Sequence, residues 1–161
     1  MIKGQVMVKV EIQEAKDNDL SLILSLFKQP DMDNNKVLSV EQAKKIFNRI
    51  KSYPSYRIYV AKAGDEVVGT LSLLIMDKLA HMGAPSGIVE DVLVHKDWQG
   101  RGIGEKMMKF AMDLCQKMGC YKLMLSSDVK REIAHNFYEK LGFKKHGYSF
   151  VVHFAKEGKD L

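Results

Sequence analysis

Little in this sequence lets it fold by anything other than a packed apolar core. Of 161 residues only two are cysteine and three are proline, so neither a disulfide framework nor a polyproline rod is available. The two thiols, Cys115 and Cys120, also lack the paired spacing of a zinc site. No run of 18 apolar residues occurs, and Met1 to Val10 alternates polar with apolar residues where a signal peptide needs a continuous apolar stretch. Neither a membrane span nor a signal peptide is therefore expected, and a reducing, cytoplasmic setting is. Basic runs are missing as well. The 25 lysines and arginines are interleaved with 20 acidic residues and never exceed two in a row, so the net charge of +5 forms no stripe for nucleic acid. That surplus suits a small polyanion, which the same field attracts.

What is present is apolar periodicity. Hydrophobic residues make up 46% of the chain, and its length predicts one domain, residues 1–161, burying about 70% of the surface of its unfolded form. Alternation of Val6, Val8, Val10 and Ile12 predicts a strand over Val6–Ile12. Leu20, Ile23, Leu24 and Phe27 recur at helical spacing behind a cap at Asp17 or Asn18, until Gln29-Pro30 stops the helix. Ser39 and Gln42 have capping-box spacing at the start of a second helix, which Tyr53-Pro54 ends. Tyr56–Ala63 and Val67–Met76 read as a hairpin turned by Gly64-Asp65-Glu66. A strand over Ile88–His95, a long amphipathic helix over Ile103–Met118 and a strand over Tyr121–Ser126 follow. Last come a short helix over Ile133–Leu141 with Gly142 as its C-cap and an alternating strand over Tyr148–Phe154. The expected order is βααβββαβαβ: an α/β (α+β) fold with a single mixed, mostly antiparallel sheet and helices on both faces. The ten methionines read as core filling.

The richest stretch runs Val92-Leu93-Val94-His95-Lys96-Asp97-Trp98-Gln99-Gly100-Arg101-Gly102-Ile103-Gly104, an apolar strand entering a glycine-dense turn that opens a helix. Glycines let backbone approach a ligand, and the unpaired first N–H groups of a helix attract anions by about 0.3 to 1 kcal/mol. A phosphate or pyrophosphate is the expected guest. Glu105 stands where a nucleoside-triphosphate loop needs Lys-Ser or Lys-Thr, and the third glycine of a dinucleotide fingerprint is absent. Both of those ligands are disfavoured.

Gln99-Gly100-Arg101-Gly102-Ile103-Gly104 resembles the Q/R-x-x-G-x-G/A acetyl-CoA signature of the GNAT N-acetyltransferases. A second motif, Ala134-His135-Asn136-Phe137-Tyr138-Glu139-Lys140-Leu141-Gly142-Phe143, is similar to that family's on the helix after the fifth strand. The resemblance extends from Val6 to Phe154 and implies the family fold. It also implies a bulged fourth strand, whose backbone at Val92, Leu93 and Val94 meets the pantetheine arm and acetyl carbonyl, and a pyrophosphate cradle over Gln99, Gly100, Arg101, Gly102, Ile103, Gly104 and Glu105. Tyr138 would stand near the coenzyme sulfur, and Asn136 and Phe137, lining the same helix, are further candidates for contact with the coenzyme. Acetyl-CoA is the implied co-substrate, no metal is implied, and a second copy of the chain is a candidate partner. Many relatives carry an asparagine seven residues before the tyrosine; here Arg131 stands there, so Lys130 or Arg131 is a candidate for a phosphate or an acidic substrate group.

Acetyl transfer to an amine needs a neutral nucleophile, a donor for the developing oxyanion and a proton for the departing thiolate. Deprotonating an ammonium of pKa about 10.4 at pH 7 costs roughly 4.6 kcal/mol, so a proton acceptor is expected. Glu90 and Asp91, a pair that several GNAT members share, are the candidates. Regular alternation would aim them at opposite faces, with Glu90 beside Ile88 and Val92, unless a bulge re-aims both. Tyr138 suits the acid role, since a phenol of pKa about 10 stays protonated at pH 7 yet can protonate a thiolate of pKa about 8.5.

Asp31 to Gln42 resembles a calcium loop at several positions but has Lys36 where the sharp turn needs glycine and Gln42 where a bidentate glutamate belongs. The alternative is that this loop borders the acceptor, with Asp31 and Asp33 near a cationic amine. Five dispersed histidines offer no metal spacing, and neither cysteine adjoins a base that would activate it for covalent catalysis. The expected activity is direct transfer of acetyl from acetyl-CoA to a primary amine, with a small, phosphorylated or simple amine favoured. The alternatives are a protein or peptide lysine or N-terminal acetyltransferase, and a non-catalytic acyl-CoA sensor.

Overall fold

The computed structural model describes residues 8–30, 32, 33 and 35–154. Two compact units are present, the first ending at Leu125 and the second starting at Ser126. The first unit holds β1 (Val10–Glu14), α1 (Leu20–Phe27), α2 (Val40–Ser52), β2 (Tyr56–Ala63), β3 (Glu66–Met76), β4 (Ser86–Val94), α3 (Ile103–Lys117) and β5 (Lys122–Met124). The strands form one sheet in the order β1-β2-β3-β4-β5. Every neighbouring pair is antiparallel except β4 and β5, which are parallel because α3 crosses between them. The mixed, mostly antiparallel architecture expected from the periodicity is the one observed.

Each face of the sheet has its own helical cover. Val60, Val67 and Leu93 pack on one side with Leu20, Ile23 and Leu26 of α1 and Phe47 of α2. On the other side Tyr59 meets Phe110 of α3 edge to face, with ring centroids 4.9 Å apart. Close approach of α3 depends on two strand glycines. A Cβ on Gly69 would lie 2.7 Å from the Met107 sulfur, and one on Gly87 would collide with Cys115 Sγ. Burial then pushes the Cys115 thiol up to about 12, with Cys120 adding to the effect.

Local chemistry sets the helix starts. Ser39 and Gln42 form the expected capping box, Gln42 N–H donating to Ser39 Oγ at 3.2 Å and Ser39 N–H to Gln42 Oε1 at 3.0 Å. The first helix corrects the expectation of a cap at Asp17 or Asn18. A 3-10 turn over Asp17–Asp19 precedes it, and Asp19 is the cap residue. The buried Asp19 carboxylate accepts from Lys16 N–H at 2.9 Å and pairs with Lys62 at 2.6 Å.

Strand ends differ from the periodicity because pairing decides them. The first strand was expected over Val6–Ile12; Val6 lies outside the described residues, and β1 runs on to Glu14, where Gln13 and Glu14 still face Val60 and Tyr59. Only three residues of the expected Tyr121–Ser126 strand pair with β4.

The second unit contains α4 (Glu132–Lys140). Gly142 follows at φ 94°, and its N–H donates to the Glu139 carbonyl at 3.0 Å, the left-handed helix stop expected there. The last predicted strand is a correction: Tyr148–Phe154 is not a strand, and Tyr148, Phe150, Val151, Val152 and Phe154 are all exposed. Alternation gives a segment two faces, but a strand exists only where another backbone edge accepts its hydrogen bonds. Among the described residues no helix is long and apolar enough to cross a membrane.

Candidate active site

The register between β3 and β4 slips in the middle. Ser72 faces Glu90, yet Thr70 faces Leu93, so two steps on β3 are matched by three on β4. This is a β-bulge, and its extra residue is accommodated by Asp91, whose φ of 52° lies in the left-handed region. A non-glycine residue there stores roughly 1–2 kcal/mol of strain. The bulge also corrects the face assignment. Glu90 shares its side of the sheet with Ile88 and, beyond the bulge, with Leu93 instead of Val92, because one extra residue inverts the alternation downstream.

Two carboxylates at this point feel a neighbouring negative charge. Partial burial, and then the charge of Asp91, hold Glu90 above the usual carboxylate range. Burial followed by the charge of Asp33 raises Asp91 likewise. Asp33 comes from the loop after α1, so residues nearly sixty positions apart in sequence act on the same field. Both shifts favour a proton acceptor better matched to neutral pH than an ordinary carboxylate. Asp31 lies outside the described residues.

Past the bulge the β5 side of β4 opens. Among the described residues, β5 pairs only with Ser86, Gly87 and Ile88. Val92, Leu93 and Val94 therefore extend beyond the last β5 rung before the chain turns into α3. Gly100 and Gly102 take φ values of 72° and 75°, and nothing lies within 4 Å of where their Cβ atoms would stand. Backbone conformation, not crowding, is what requires glycine here. Gly102 is the N-cap of α3 and supplies no side-chain cap, so the first-turn N–H groups around Ile103, Gly104 and Glu105 face outward with the positive end of the helix dipole. Ile103 is buried and anchors the helix start. Glu105 pairs with Lys109 at 2.6 Å along the helix, while the Arg101 guanidinium lies 4.9 Å over the Trp98 ring.

Side-chain amides fasten this turn. Gln99 Nε2 donates to the Val94 carbonyl at 3.1 Å, so the Gln99 side chain ties the turn to its own strand. Gln29, at the end of α1, accepts from Lys96 N–H at 2.8 Å and donates to the same Val94 carbonyl at 3.4 Å. Gln29 was missed in the sequence because Gln29-Pro30 reads only as a helix stop; its partners are 65 and 67 residues away.

In the second unit, the Tyr138 ring packs edge to face against Phe137 at 5.1 Å and Phe143 at 5.9 Å. Asn136 is exposed, as is Arg131, which occupies the N-cap position of α4. His135 Nε2 lies 2.9 Å from the Asp128 carbonyl, closing the turn before the helix.

A bulged strand carrying two carboxylates leads into a glycine turn and an uncapped helix, the arrangement that the resemblance to the GNAT N-acetyltransferases implies. Comparison with known proteins agrees. Residues 20–143 match the Acetyltransferase (GNAT) family, and the chain belongs to that family of acyltransferase enzymes. It is 29% identical over 146 residues to a glucosamine 6-phosphate N-acetyltransferase of Trypanosoma brucei brucei, covering 86% of this chain and 92% of the relative. A Candida albicans protein of the same name is 33% identical over 119 residues, covering 73% and 78%. Among solved structures, a glucosamine-6-phosphate N-acetyltransferase from Arabidopsis thaliana superposes with a TM-score of 0.74 at 26% identity, covering 91% of this chain and 99% of that one.

Proposed function

We propose that this protein transfers an acetyl group from acetyl-CoA directly to the primary amine of a small molecule, with an amino-sugar phosphate as the favoured acceptor class. The observation that carries the reading is the left-handed bulge at Asp91, which places Glu90 and Asp91 on the strand that leads through the glycine turn into the uncapped helix. The names of the relatives in Trypanosoma and Candida support the acceptor class.

Acetyl-CoA supplies the acetyl group as an activated thioester. On this reading the backbone from Gly100 to Glu105 holds the pyrophosphate, and Val92 and Leu93 line the open edge of β4 for the pantetheine arm. Glu90 or Asp91 accepts the proton of the ammonium, directly or through water, so that a neutral amine attacks. Tyr138 is assigned the proton for the departing thiolate on the chemistry of its phenol and its place in the second motif. The chain acts as one acetyltransferase domain in the cytoplasm, where its buried Cys115 stays a thiol.

The test is thiol release from acetyl-CoA against a panel of glucosamine 6-phosphate, glucosamine, simple amines, and lysine-bearing and N-terminal peptides. Release with the small amines, without an acetylated protein on mass spectrometry, is the expected result. Release only with peptides makes the protein a peptide acetyltransferase, and coenzyme binding without release makes it a sensor. A Tyr138→Phe enzyme that keeps full turnover removes Tyr138 from the chemistry.

A further inference from the structure

At the opposite end of β4 from the glycine turn, cationic and aromatic side chains gather around Tyr121. The Lys78 ammonium lies 3.4 Å from the Tyr121 hydroxyl and 5.5 Å from its ring centroid, and the Lys122 ammonium lies 5.4 Å from that centroid. His81 stacks on the same ring at 4.3 Å with an interplanar angle of 27°. No acidic side chain forms an ion pair with either lysine among the described residues. Desolvation raises the Tyr121 phenol, but hydrogen bonds from Lys78 and Lys122 outweigh it and lower its pKa.

Two further features lie beside this cluster. The loop between β3 and β4 holds His81 and Met82 in consecutive left-handed conformations, at φ 57° and 58°, before Gly83 at 79°. Neither His81 nor Met82 is glycine, so the turn keeps strain of about 1–2 kcal/mol per residue while it seats the His81 ring on Tyr121. Beside it, Ser86 is completely buried and its hydroxyl has no hydrogen-bond partner.

Register connects this corner to the carboxylates. Ser86 pairs with Lys122, and Ser86, Ile88 and Glu90 alternate onto one face of β4. Lys122 thus stands on the Glu90 side of the sheet, four strand residues away, about 13 Å at roughly 3.3 Å per residue. A lysine arm and a hexosamine phosphate together bridge that gap. We infer that Lys78, His81, Tyr121 and Lys122 bind the anionic, phosphate-type end of the acceptor while its amine lies at Glu90 and Asp91. This rests on the acetyl-transfer reading and adds the group that sets its specificity. Two ammonium groups and a phenol give charge-assisted hydrogen bonds to phosphate oxygens, and each bond to a charged group changes affinity by about tenfold or more.

The experiment measures KM for glucosamine 6-phosphate and for glucosamine in the wild type, Lys78→Ala and Lys122→Ala, with Lys45→Ala on α2 as an equal loss of charge elsewhere. The wild type is expected to favour the phosphorylated amine. Lys78→Ala and Lys122→Ala reduce that preference about tenfold each, and Lys45→Ala leaves it unchanged. An unchanged preference in both cluster variants overturns the assignment, as does a wild type with no preference. Calorimetric titration of both amines separates this from failure of the acetyl-transfer reading. Phosphate-dependent binding that the Lys78→Ala/Lys122→Ala double variant loses supports the site even without turnover; equal binding by the double variant, or no binding by the wild type, overturns it. Coenzyme A and its 3′-dephospho form are titrated alongside. A drop in the double variant's affinity for coenzyme A that spares the dephospho form assigns the cluster to the coenzyme phosphate and also overturns the inference.

Discussion

The carboxylate bulge lies on β4 and the glycine turn follows that strand, yet the two are assembled in different ways. Gly100 and Gly102 act through their own dihedral angles, and the helix they open begins at the next residue. The bulge depends on β3 for its register and on Asp33, from the loop after α1, for part of its electrostatics. On the proposed reading, a binding cradle for a constant ligand is written in a few consecutive residues. A reactive centre whose proton affinity must be tuned draws on charges from distant segments.

If that division holds, variants at the two places fail differently. The largest effect is expected at the bulge: Glu90→Gln or Asp91→Asn, whichever removes the proton acceptor, lowers kcat about a hundredfold, within the usual range for general bases. Steady-state kinetics with saturating acetyl-CoA checks this, and near-normal kcat in both variants contradicts it. Gly102→Val comes next. A β-branched residue at φ 75° is strained by roughly 1–2 kcal/mol, and KM for acetyl-CoA should rise about tenfold. Gln29→Leu removes both bonds to the β4 end and should raise the same KM about fivefold, at ~1 kcal/mol for lost hydrogen bonds; an unchanged KM limits Gln29 to local structure.

The smallest effect concerns pH. Glu90 and Asp91 both have raised pKa values, so activity that needs the ionised carboxylate falls as pH drops through a point above the ordinary carboxylate range. Asp33→Asn removes one of the causes that raise Asp91. The acid limb of the kcat/KM profile should therefore move to lower pH. A shift to higher pH, or none, shows that Asp33 does not act on the reacting group.

Sequence legibility follows the same division. The capping box of Ser39 and Gln42, the helix stop at Gly142 and the turn at Gly100 and Gly102 were readable because each is local. The presence of a bulge came from family resemblance, and its consequence, Leu93 and not Val92 beside Glu90, appears only when β3 fixes the register. Gln29 was invisible because nothing near it names Val94 as its partner. Tyr148–Phe154 misled for the same reason: its alternation is real, but no pattern within a segment supplies the neighbour a strand needs.

The separation of the cradle from the reactive centre is tested most directly by titrating coenzyme A into the Glu90→Gln/Asp91→Asn double variant by calorimetry. Affinity within about twofold of the wild type, together with loss of turnover, is the predicted result. Loss of coenzyme affinity in step with turnover would contradict it, because the carboxylates would then belong to the cradle.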